Sequence, residues 1–153
     1  MSARIAFAIA ALVSAGCVRE TTRNTVRPGG EDLRFSTANE KAARETVTRY
    51  FELLAEWNLP AAYDLLSVAE QHKISFEDYR KACENDREVI VAMARRAKVA
   101  YTGEGGPDPA TRKPYVMVLV TMEGHPNAKY GAMPESGAWR VILTDASRVD
   151  RAQ

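Results

Sequence analysis

Between Ala43 and Arg96 apolar residues recur every three to four positions; beyond Arg96 they recur every second position. Ala43, Val47, Tyr50, Phe51 and Leu54 form one stripe, as in a helix that buries a single face. Thr37–Glu40 (TANE) reads as a capping box at its start. The helix should end near Trp57 and Asn58, because Pro60 disfavours helical geometry in the residue before it. Pro60 then suits the first turn of another helix, whose Ala62, Leu65 and Leu66 continue the core face. Ser75–Asp78 (SFED) is a second capping box, followed by Phe76, Tyr79 and Cys83. Asn85–Glu88 (NDRE) starts a further helix with Val89, Ile90, Met93 and Ala97 on its buried side. One unbroken helix over Phe76–Arg96 also fits the spacing; Asn85 and Asp86 favour a break.

Three strands follow. Lys98–Thr102 (KVAYT) alternates, and Ala138–Thr144 (AWRVILT) places Trp139, Val141 and Leu143 on one side. Tyr115–Met122 (YVMVLVTM) is rich in β-favouring residues with almost no polar face. That marks a central strand, with one face under the helices and the other lining a pocket or a partner surface. Gly103–Pro114 and Gly124–Gly137 connect the strands; both are rich in Gly and Pro and longer than a tight hairpin. In a three-strand meander they lie at opposite ends and form no joint site. Helices first and strands afterwards predict an α+β domain, the helices packed on one face of an antiparallel sheet.

The N-terminus has a different pattern. Arg4 precedes an apolar run, Ile5–Val13, which gives way to the small residues Ser14, Ala15 and Gly16 ahead of Cys17. A charged start, a short apolar core and a small-residue exit describe a secretory signal peptide. The run is too short for a spanning helix, which needs about 20 apolar residues. Ser14–Cys17 (SAGC) resembles the lipobox of bacterial lipoprotein precursors, with Ser14 where Leu is usual. The resemblance implies cleavage before Cys17 and lipidation of its thiol. The partner is then a bilayer, reached through acylated Cys17. Val18 after the cysteine resembles outer-membrane-sorted lipoproteins, so the cell envelope, and the periplasmic face of the outer membrane over the inner membrane, is the expected address. Val18–Phe35 carries Pro28, Gly29 and Gly30 and no periodicity, and reads as a linker. The chain thus divides into a signal peptide (1–16), a lipidated cysteine and linker (17–37), a folded domain (38–146) and a polar tail (147–153).

Charge removes one class of function. The chain holds 21 Lys and Arg against 20 Asp and Glu. Loss of residues 1–16 takes away Arg4 alone and leaves 20 of each. A nucleic-acid surface needs a clustered basic excess, and none is expected. With Cys17 assigned to lipid, Cys83 on an apolar helical face is expected to be a free, buried thiol.

Three stretches carry a second resemblance. Tyr50, Phe51 and Leu54 followed by Ala62–Ser67, then Ile74–Tyr79, then Gly137–Val141 together resemble the nuclear-transport-factor-2-like superfamily. That superfamily includes ketosteroid isomerase and scytalone dehydratase. The resemblance implies helices on a curved antiparallel sheet that form a cone, and covers Asn39 to about Thr144. The superfamily usually has four or more strands; a short additional strand could lie in Ala128–Ala132.

Enzymes of that superfamily resemble one another in placing an Asp, His or Tyr in an apolar pocket, where burial tunes proton transfer. His72 sits in a polar connection (QHK) and His125 in a turn sequence (GHPN), so both read as solvated loop residues. Asp64, between Tyr63 and Leu65, either edges a pocket or faces water. Tyr50, Tyr63, Tyr79 and Tyr101 lie on core-facing stripes, which for tyrosine means packing with the hydroxyl at a rim. Glu123 and Asp145 fall beyond strand ends. No His or Cys pair has metal-ligand spacing, and Gly103–Gly106 (GEGG) lacks the helix and lysine of a phosphate loop. Arg95, Arg96 and Lys98 suit a helix C-terminus by the dipole alone. No cofactor is expected.

The leading expectation is a non-catalytic, membrane-anchored domain that binds a small apolar ligand or a protein partner through its sheet. Tyr63, Asp64, Tyr101, Met117, Leu119 and Trp139 are its candidate binding residues. An isomerase, dehydratase or cyclase using Asp64 or a tyrosine is one alternative. A subunit that forms a homodimer through its sheet face is the other.

Overall fold

The computed structural model describes residues 37–105, 107–108 and 111–143. The signal peptide, Cys17, the linker, the Thr37 side chain, Asp145 and the tail lie outside the described residues. Among the described residues, five helices lead into four strands: α1 (Thr37–Ala55), α2 (Leu59–Asp64), α3 (Val68–Lys73), α4 (Phe76–Asn85), α5 (Arg87–Arg96), β1 (Ala97–Glu104), β2 (Val116–Met122), β3 (His125–Glu135) and β4 (Ala138–Ile142). The strands form one antiparallel sheet in the order β1-β2-β3-β4. The architecture is α+β.

The long α1 lies across the sheet and touches all four strands, and it also packs on α5 and α2. Its buried stripe is Ala43, Val47, Tyr50, Phe51 and Leu54, joined by Leu53. Opposite it the sheet contributes Val116, Val118, Val120 and Met122 from β2, Ala128, Tyr130 and Ala132 from β3, and Val141 from β4. These positions alternate along each strand, so they share the face under the helices.

Helix ends follow local chemistry. The Asn58 side chain caps α2, with Pro60 in its first turn. Ser67 caps α3 by accepting from the Glu70 N–H, and Ser75 caps α4 by accepting from the Asp78 N–H. The chain breaks between α4 and α5 at Asp86, whose backbone leaves helical geometry.

Several expectations change. His72 is not in a connection but in the last turn of α3, a short helix that Ser67 nucleates. Val89 is 45% exposed, and the buried side of α5 is Ile90, Met93 and Ala94. Ala97 has already left the helix and opens β1. Leu65 is only half-buried.

The largest correction is Gly124–Gly137, most of which is a strand rather than a connection. Ala128, Tyr130 and Ala132 alternate inward, but the two alanines, with Pro126, Gly131 and Pro134 nearby, hide the period. Tight turns at Glu123–Gly124 and Ser136–Gly137 flank this strand, while the connection between β1 and β2 stays long. Ser136 and Gly137 both take positive φ (50° and 81°), the geometry of the two-residue turn that matches strand twist. The fourth strand brings the β1–β2 connection and the β3–β4 turn to the same end of the sheet.

On the open side of β4 the segment after α2 adds one more pairing. Leu66 forms a parallel bridge with Val141: the Ser67 N–H donates to the Val141 carbonyl at 2.8 Å, and the Val141 N–H to the Leu65 carbonyl at 2.7 Å. Glu135 Oε2 accepts from the Val68 N–H at 3.0 Å, fastening α3 to the sheet end.

Candidate functional site

Two places deserve a chemical reading: the interior between helices and sheet, and the outward face of the sheet. Helical spacing brings Tyr50 of α1 and Tyr79 of α4 together, and their hydroxyls meet at 3.1 Å. Tyr130 of β3 packs at 5.1 Å, edge to face, on Phe51, and Tyr63 stacks at 5.4 Å and 5.5 Å from Phe76 and Tyr79. Cys83 lies in the same cluster as a free thiol with no exposed surface.

Burial pushes the Tyr50, Tyr79 and Tyr130 phenols well above the ordinary tyrosine value. It pushes the Cys83 thiol up to about 11, against a smaller lowering by its hydrogen bond with Tyr79. Groups held this firmly in the neutral form are poor bases near neutral pH. The interior is filled with aromatic side chains that satisfy one another.

The outward face is built differently. β1 contains a bulge between Val99 and Tyr101. Val99 pairs with Val120 and faces the helices, whereas Tyr101 pairs with Leu119 and faces away. One extra residue, Ala100, reverses the alternation. Tyr101 is therefore 57% exposed, where strict alternation had placed it on a core-facing stripe.

Around Tyr101 the register sets Gly103 beside Met117, Met117 beside Gly131, and Gly131 beside Ile142. Met117 and Leu119 are half-buried. A Cβ on Gly103 would sit 2.9 Å from the Tyr101 ring, so that ring lies against the strand backbone. A Cβ on Gly131 would sit 2.9 Å from the Tyr115 ring and 3.0 Å from Ile142 Cβ. Both glycines make room for tyrosines lying along the sheet.

The six candidate residues divide between these places. Tyr101, Met117 and Leu119 share the outward face. Tyr63 is on the helix side, and its hydroxyl donates to the Ile74 carbonyl at 2.8 Å, tying α2 to the start of α4. Trp139 packs at the margin of the helix-side core. Asp64 is exposed, and its backbone carbonyl accepts from Arg140 Nη1.

A groove of about 250 Å³ opens between α1, α5 and the sheet, lined by Thr48, Phe51, Glu52, Arg95 and Val99 among others. Sequence reasoning missed it, because its walls come from helix faces that read as ordinary packing. Gly103 and Gly131 were also missed; an isolated glycine within a strand is the available signal for a close approach.

His125 begins β3, and its Nδ1 is buried with no hydrogen-bond partner among the described residues. Among those residues no group of His, Cys, Asp or Glu could hold a metal ion, and no helix is long and apolar enough to cross a membrane. No family model, curated protein or solved structure matches this chain.

Proposed function

We propose that this protein is a lipid-anchored envelope protein whose domain binds through the outward face of its sheet and performs no catalysis. The observation that carries the binding reading is the contrast between the two faces of β2. Val116, Val118, Val120 and Met122 are buried, while Met117 and Leu119 remain half-exposed beside Tyr101. A strand that is apolar on both faces, with one face unfilled, keeps apolar surface available for association. The interior, where an enzyme on this plan would place its acid or base, is occupied by hydrogen-bonded tyrosines.

The arrangement is read as a nuclear-transport-factor-2-like plan. Helices come first, a four-strand meander follows, and the segment after α2 adds a bridge beside β4. The anchor reading rests on Arg4, the apolar run and the small residues before Cys17. Two acyl chains would hold such a protein stably, at about 0.8 kcal/mol per buried methylene.

Mass analysis of the protein isolated from its native membrane tests the anchor. The expected product begins at Cys17 and carries a thioether-linked diacylglyceryl group. An intact Met1 terminus or a bare Cys17 thiol overturns it.

A further inference from the structure

The groove between α1, α5 and the sheet is apolar within and charged at its mouth. Phe51, Val99 and Val120 form its floor, and Ala55, Ala94 and Ala97 present only methyl groups to it, which leaves it open. Its space of about 250 Å³ suits about eight non-hydrogen atoms at a water's share of volume each. That is the size of valine or leucine. The mouth carries opposite charges on two walls: Glu52 stands on α1 and Arg95 on α5, both exposed. Among the described residues Glu52 is paired not with Arg95 but with Arg49, at 3.1 Å. Arg49 also reaches Glu56 at 3.6 Å, so one guanidinium faces two carboxylates and the α1 wall keeps a negative charge. The α5 dipole favours cations at this helix end but does not decide where they point. Arg96 approaches the β2–β3 turn, its Nη1 3.9 Å from the place of a Cβ on Gly124, whereas Arg95 lines the groove. An apolar floor with a few converging polar groups is the make-up of a small-molecule site.

We propose that this groove holds a free apolar α-amino acid of valine or leucine size. Its side chain lies on Phe51, Val99 and Val120, its carboxylate meets Arg95 and its ammonium meets Glu52. An anion alone leaves the α1 wall unmatched and a cation alone leaves Arg95 unmatched; the zwitterion complements both. The groove opens on the helix side of the sheet, so it serves independently of the outward face and of the anchor.

Backbone amide shifts of the full chain, followed by nuclear magnetic resonance as L-leucine is added, test this site. The amides of Thr48, Glu52 and Val99 should move together and approach saturation by about 10 mM. N-acetyl-leucine lacks the ammonium, leucinamide lacks the carboxylate and glycine lacks the side chain; each should bind at least about five-fold more weakly. Arg95→Gln should weaken leucine about five-fold and leave leucinamide unchanged, and Glu52→Gln should weaken leucine about five-fold and leave N-acetyl-leucine unchanged. Both positions are exposed, so the variants should keep the native spectrum away from the groove. Val89→Ser, on α5 outside the groove, should bind leucine as the parent chain does.

Absence of a saturable shift overturns the proposal, as do shifts centred on Met117 and Leu119 of the outward face. Equal affinity for leucine and N-acetyl-leucine also overturns it and assigns the groove to a simple anion. Equal affinity for leucine and leucinamide overturns it too, and assigns the groove to a peptide N-terminus.

Discussion

The hydroxyls of Tyr50 and Tyr79 lie 3.1 Å apart with both rings buried, so each satisfies the other where water does not reach. Removing the Tyr79 hydroxyl takes away the partner of Tyr50 in the interior, which costs about 1–3 kcal/mol, whereas without Tyr50 the Tyr79 hydroxyl keeps its hydrogen bond with Cys83. Tyr50→Phe and Tyr79→Phe should each lower the urea midpoint, and the double variant should lose less than the sum of the two. Equilibrium denaturation followed by circular dichroism measures that coupling. Additive losses would mean the hydroxyls act separately.

The two faces of β2 predict opposite outcomes for adjacent residues. Val118 has no exposed surface, so Val118→Asp buries a charge and should leave the domain unfolded. Leu119 faces outward beside Tyr101, and Leu119→Asp should fold with a loss under about 1.5 kcal/mol. Far-ultraviolet circular dichroism and proteolysis of the two variants distinguish them. A folded Val118→Asp variant would contradict the assignment of faces.

Gly131 tests the close packing of Tyr115. A methyl group there meets the ring and Ile142 at 2.9 Å and 3.0 Å, so Gly131→Ala should destabilise by about 1–3 kcal/mol. Tyr115→Ala in the same chain removes one obstacle and should reduce the penalty of Gly131→Ala. Thermal melts of the four combinations report the interaction.

Alkaline pH attacks the interior through its thiol and phenols. The Cys83 thiol is raised from 9.0 to about 11 by burial, so the native state resists an ionisation that the unfolded chain accepts. Stability is therefore complete below the ordinary thiol value and falls as pH rises through the raised one. The tyrosines Tyr50, Tyr79 and Tyr130 shift in the same direction and extend the loss upward. Denaturation midpoints at stepped alkaline pH should drop across this window, less steeply in Cys83→Ala. Tyrosinate absorbance from the buried rings should rise together with the loss of helical signal.

The helical half of the domain was legible because its stripe and caps obey local rules. Ala43 to Leu54, Ser75 at the start of α4 and the break at Asp86 all follow from spacing and capping chemistry. The sheet was less legible. β3 carries two prolines, a glycine and two inward alanines, so its alternation is present in position but faint in hydrophobicity. Tyr101 defeated a period-two reading because a bulge is set by pairing with β2, a long-range relationship that leaves little trace in KVAYT. The candidate set suffered for the same reason. Tyr63 and Trp139 fall on the other side of a sheet whose third strand, β3, was read mainly as loop.

The bulge at Ala100 lets a single strand answer to two masters. Its first half, through Val99, is judged by how well it fits against α1; its second half, through Tyr101, is judged by what approaches from outside. Residues on the outer half can change to suit a new encounter with little disturbance to the hydrophobic seam behind them. Drawing Ala100 into a regular ladder would merge the two demands, turning Tyr101 toward the interior and withdrawing the contact surface in one step.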